Sequence, residues 1–132
     1  MSATTATSPA PTLGILLRSG GHDAAHYALV AATAAAAIGR DVVLFATNQG
    51  CQVLLRTPPL LDDPREALLA SRGVATLATL RDAAQELGIR HIACEAGLRA
   101  EAIAADALAP GVETAGIVTF LAAVGTGQLL AL

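Results

Sequence analysis

The feature that most constrains this chain is an alternation of short apolar runs, each closed by turn residues, with segments patterned as helices. Leu13 to Arg18 (LGILLR) is bounded by Ser19-Gly20-Gly21 and reads as a buried strand and turn. An Ala-rich helix follows from His26 to Ile38, with Asp23 as its expected N-cap and Gly39 as its stop. Asp41 to Thr47 (DVVLFAT) repeats the strand pattern ahead of the turn Asn48-Gln49-Gly50. From Thr76 to Leu87 the apolar residues Leu77, Leu80, Ala84 and Leu87 share one helical face. Arg81, Asp82, Gln85 and Glu86 fall largely opposite, and Gly88 closes the segment. Further strands are expected at Arg90 to Ala93, Val112 to Ala115 and Gln128 to Leu132, with helices near Arg99 to Leu108 and from Ile117 to Val124.

Strands that alternate with helices in this way predict an α/β fold: a three-layer α/β/α domain around a mostly parallel sheet of four or five strands. The expected organisation is a disordered tail at residues 1–12 and one domain over 13–132. Cys51 to Arg56 suggests a short helix stopped by Pro58-Pro59. Leu60 to Gly73, with Pro64 and an Asp pair, suggests a loop holding one or two helical turns and placed as a mobile lid. Right-handed crossovers bring the loops after the first three strands to the carboxyl edge of the sheet, where such folds place their sites. That edge should collect His22, His26, Asn48, Cys51, Cys94 and Glu95.

Composition removes whole classes of function. All eight basic residues are Arg, which excludes a Schiff-base lysine and the Walker A phosphate loop. The net charge is −3, no basic run occurs and aromatic residues make up 2%, so nucleic acid is not an expected partner. Two cysteines are too few for a disulfide framework. Met1 to Thr12 has neither the basic nor the apolar region of a secretory signal, and a cytoplasmic location is expected. Ala115 to Leu132 is uncharged and long enough to invite a membrane reading, but Gly125-Thr126-Gly127-Gln128 divides it into pieces too short to span a bilayer.

Chemistry concentrates in Ile89 to Ile103 (IRHIACEAGLRAEAI), where an apolar strand delivers Cys94 to a helix start. Backbone N–H groups at such a start favour a thiolate, whereas a carboxylate such as Glu95 disfavours it. Two readings of Cys94 stand side by side: a nucleophile, with His22 or His26 as base or charge partner, and a small buried hydrophobe at a strand end. Cys51 admits the same pair of readings, a second thiol facing Cys94 or a core residue packed with Val53 and Leu54. His22 and His26, at i and i+4, would need a cysteine and more to hold zinc, and no CxxC or HExxH spacing is present, so no metal and no cofactor is expected. Ser19-Gly20-Gly21 is not a GxGxxG motif and is explained by a tight turn.

Three stretches together resemble a family. LGIRHIACEAGLRAEAI followed by LAPGVETAGIVTFL is similar to the carboxyl half of the DsrE/DsrF-like sulfur-relay proteins, which include the TusD-type sulfur carriers. GILLRSGGHDAAHYALVAATAAAAIGRDVVLFATNQG is similar to their amino half. The resemblance implies that Cys94 stands where sulfur-carrying members bear a persulfide, that the protein relays sulfane sulfur from a donor to an acceptor protein, and that it assembles as a trimer or hexamer. The resemblance assigns no role to Cys51 or to the segment from Leu60 to Gly73. The rival expectations are an oligomeric module binding a small ligand on the same fold, and a redox-sensing pair of Cys51 with Cys94.

Overall fold

The computed structural model describes residues 10–132. Five strands, β1 (Leu13–Leu17), β2 (Val42–Ala46), β3 (Arg90–Cys94), β4 (Glu113–Ala115) and β5 (Gln128–Ala131), form one sheet in the order β4-β3-β2-β1-β5, and every pairing is parallel. β2 is buried throughout, as expected of a near-central strand with an uninterrupted apolar run. Leu17 pairs with Ala46 and Ala46 with Ala93, so the carboxyl ends of the three central strands are level and Cys94 stands one residue beyond them, beside Ala115.

The sheet is unequally covered. One face carries α1 (His22–Ala37) and α3 (Leu77–Glu86), packed on each other and on Ile15, Leu17, Leu44 and Ala93. Alanine at Ala25, Ala28, Ala32 and Ala35 lets α1 lie close to the strands. The other face carries α5 (Ile117–Val124), which crosses β1 and β2. There the chain's two phenylalanines, Phe45 and Phe120, stack with centroids 4.9 Å apart and form a smaller core with Val43, Ile92, Cys94 and Val124. Gly14 permits this approach, because a Cβ there would lie 2.2 Å from Val124 Cγ2.

Several expected boundaries move. α1 begins at His22, one turn before His26, with Gly21 as its N-cap and Asp23 inside its first turn. The strand at Arg90 includes Cys94, and the following helix, α4 (Glu95–Ala100), starts at once instead of at Arg99. It ends where Ala102 takes a positive φ of 54° and Ile103 N–H bonds back to the Leu98 carbonyl, a Schellman closure made without glycine. Ala105–Ala107 forms only a 3-10 turn. Cys51 lies within a 3-10 helix, Asn48–Leu54, rather than opening an α-helix.

The segment expected as a loose lid is a 3-10 turn, Pro59–Asp62, and a helix, α2 (Pro64–Ser71), capped by Asp63, whose side chain accepts from Arg65 N–H. Glu66 of this helix is hydrogen-bonded to both α1 and α3, which fastens the segment to the body of the domain. Of the expected tail, residues 1–9 lie outside the described residues. Pro11 and Thr12 lie within them, their carbonyls accepting hydrogen bonds from Arg40 and from the Gln128 N–H. No helix among the described residues is long and apolar enough to cross a membrane.

Candidate functional site

Cys94 ends β3 and is also the N-cap of α4. With φ −69° and ψ 121° it keeps an extended backbone while its sulfur accepts a hydrogen bond from Gly97 N–H at 3.4 Å, the place a serine or aspartate oxygen would take at an ordinary cap. The contact fixes the sulfur at the first turn of α4. Gly97 is required for the geometry. A Cβ at this position would fall 2.5 Å from both Asn48 N and Thr47 Oγ1, so the glycine lets the first turn of α4 press onto the end of β2.

The second thiol is close but differently placed. Cys51 is fully buried in the 3-10 helix after β2 and donates to the Ala46 carbonyl at 3.4 Å. Its pKa is pushed up to about 11, by burial first and by the neighbouring Cys94 next, against the Cys94 backbone N–H, which favours ionisation. Cys94 is 8% exposed, belongs to the smaller core on the α5 side, and has the exposed Glu95 next to it in sequence. The two sulfurs are thus neighbours of unequal character, one a sealed, protonated thiol and the other at a strand end.

The remaining edge residues divide. Asn48 is exposed, at a positive φ of 52°, with its backbone N against Gly97. Gln49 reaches Glu101 just beyond α4. His22 and His26 stack on each other with centroids 5.9 Å apart, but neither is hydrogen-bonded to sulfur. His22 Nε2 meets Glu66 Oε1 at 2.6 Å and His26 Nε2 meets the Ala75 carbonyl at 2.8 Å, so both are tied to the α2–α3 region. No cluster of metal-binding side chains occurs among the described residues. Ser19 Oγ accepts from Gly21 N–H, a local turn.

Two residues of consequence escaped sequence reasoning. Glu66 joins helices distant in the chain, and no local pattern marks it. Gly97 was legible in principle, as a glycine three residues after a cysteine at a strand end, the N3 position of a cap.

Comparison with known proteins matches these observations. A family model described as the DsrE/DsrF-like family matches residues 12–130. Among solved structures, the ychN protein from E. coli superposes with a TM-score of 0.71 at 15% identity, covering 92% of this chain and 99% of that one. A protein of unknown function, MTH1491 from Methanobacterium thermoautotrophicum, superposes with a TM-score of 0.59 at 15% identity, with the same coverage of 92% and 99%. At these identities the likeness is one of fold. Among curated proteins, no relative matches the chain.

Proposed function

The chain belongs to the DsrE/DsrF-like family, and on that premise we propose that it is a sulfur carrier whose Cys94 holds sulfane sulfur as a persulfide. The Cys94 thiolate attacks the terminal sulfur of a donor protein's persulfide. The new S–S bond forms as the donor's S–S bond breaks and its thiolate leaves, so a neutral sulfur atom moves without net oxidation or reduction. An acceptor thiolate then attacks the outer sulfur and Cys94 departs as thiolate. No metal, cofactor or dedicated base is needed.

The observation that carries this reading is the cap geometry: Cys94 at the carboxyl end of a central strand, its sulfur accepting from Gly97 N–H. Cys51 is the foil, a neighbouring thiol kept protonated by burial. The test is to incubate the protein with a sulfane-sulfur donor and read the cysteine peptides by mass spectrometry. Gain of one reducible sulfur on the Cys94 peptide, lost in Cys94→Ser and kept in Cys51→Ser, is the expected result. Labelling that persists in Cys94→Ser or follows Cys51 would overturn the assignment.

The working form in this proposal is a homo-oligomer, a trimer or hexamer, in the cytoplasm. Its support is the outer side of α5, where Ile117, Val118 and Leu121 are exposed beside Leu129 of the edge strand β5, an apolar surface of the kind that marks an interface.

A further inference from the structure

On the face of the sheet opposite Cys94 lies a cavity of about 410 Å3, within the range of roughly 300–1,000 Å3 common to small-molecule sites. Its floor is apolar, formed by Leu29 of α1, Leu44 of β2, Val53 and Ile89. Its wall is not: Arg81, Asp82 and Gln85 of α3, His91 of β3 and Arg56 beyond the 3-10 helix all line it. Residues 109–112, leading into β4, close the remaining side.

Arg81 is the telling residue. It is half-buried, and Nη2 donates to the Leu55 carbonyl at 2.7 Å, which fixes the guanidinium at the wall. The ion pairs among the described residues are His22–Glu66 and Arg90–Glu113, so Arg81 holds its charge in the cavity wall with no carboxylate bonded to it. A half-buried guanidinium with unused donors is free to take an acceptor from outside the chain in place of water. His91 is held uncharged at neutral pH, because burial lowers its pKa, the Arg81 charge adds to that, and the Ile89 carbonyl only partly opposes it. Two guanidiniums against the Asp82 carboxylate then leave one positive charge in the wall, which suits a monoanion better than a phosphate dianion.

We propose that this cavity binds a small amphipathic carboxylate, its head on Arg81 and Arg56 and its hydrocarbon body on the floor of Leu29, Leu44, Val53 and Ile89. The site is independent of the sulfur chemistry assigned to Cys94.

Octanoate is the probe, with octanol as its uncharged counterpart, and the readouts are calorimetric affinity and the imidazole resonances of the three histidines. Octanoate should bind more tightly than octanol and shift the His91 resonances while leaving His22 and His26 in place. Arg81→Gln should weaken octanoate binding roughly tenfold or more. Arg56→Gln, at an exposed position, should weaken it several-fold, and Arg65→Gln on α2 should leave it unchanged. Equal affinity for octanol, wild-type octanoate affinity in both Arg81→Gln and Arg56→Gln, or binding that leaves His91 unmoved would overturn the proposal.

Discussion

His22 Nε2 lies 2.6 Å from Glu66 Oε1, and the same carboxylate accepts from the Leu77 and Ala78 N–H groups that open α3. One side chain on α2 thereby satisfies the start of α3 and a buried imidazole on α1, whose other nitrogen, Nδ1, has no hydrogen-bond partner. Glu66→Ala should cost about 2–4 kcal/mol, since it strands a buried ring nitrogen and two backbone donors together. Urea denaturation measures it, and a loss below about 0.5 kcal/mol would contradict the role.

The same network sets a pH dependence. Burial acts to raise the Glu66 pKa, but the hydrogen bond from His22 and the two backbone N–H groups outweigh it and hold the carboxyl below its ordinary value of 4.5. A depressed carboxylate contributes stability that is complete above the unfolded pKa and lost as pH falls through the folded one. The stability gap between wild type and Glu66→Gln should therefore be constant at neutral pH and narrow as the solution is acidified below pH 4.5. Denaturation midpoints of the two proteins, compared at matched pH, test this; a gap that widens on acidification would be incompatible with it.

The two thiols should react in a fixed order. With its pKa raised from 9.0 to about 11, Cys51 is only about one-thousandth ionised at pH 8 and is fully buried besides. Iodoacetamide should modify Cys94 first and reach Cys51 only on unfolding, as read by peptide mass spectrometry. The raised Cys51 pKa also contributes stability that is full below pH 9.0 and lost as pH climbs toward about 11. Modification of Cys51 ahead of Cys94 in the folded protein would reverse the assignment of roles.

The sheet was legible because its strands carry their own signal: LGILL and VVLFA are apolar without interruption and end in turns. The arrival of Cys94 at a strand end was legible for the same reason. What escaped reading depends on partners far away in the chain. The position of α4 was missed because a cysteine caps it and an alanine, not a glycine, closes it. The segment from Leu60 to Gly73 looked loose because the contact fastening it joins Glu66 to His22 across the fold. Arg81 looked like solvated helix surface, yet its guanidinium reaches the Leu55 carbonyl and lines a cavity shared with the loop before β4.

Gly97 is a test of the cap. Adding one methyl group there collides with the backbone N of Asn48 and the side-chain Oγ1 of Thr47, and the turn must lift from β2. Gly97→Ala should cost about 1–3 kcal/mol and slow alkylation of Cys94 by withdrawing the N–H that its sulfur accepts. Gly116→Ser is the contrasting case: a Cβ at Gly116 meets nothing within 4 Å, and this N-cap of α5 has no side-chain hydrogen bond. A serine there should leave stability unchanged or raise it by up to about 1 kcal/mol. Equal effects of the two substitutions, measured by thermal denaturation, would deny Gly97 its special place.

The outer side of α5 tests the assembly. Val118 is 76% exposed and Leu121 50% exposed, although the inner side of the same helix is anchored by Phe120 and Val124 in the smaller core. A helix that binds its own sheet through one side and offers a second apolar side to the surroundings has more hydrophobic surface than a monomer's fold uses. Glutamate at both Val118 and Leu121 should leave the Phe45–Phe120 stack, and hence monomer folding, intact. Burying two carboxylates without partners in an interface would dissociate it. Sedimentation at low micromolar concentration should give an oligomer for the wild type and a folded monomer for the double variant. A wild-type protein that sediments only as monomer would remove α5 as an assembly surface while leaving the Cys94 chemistry to be judged on its own test.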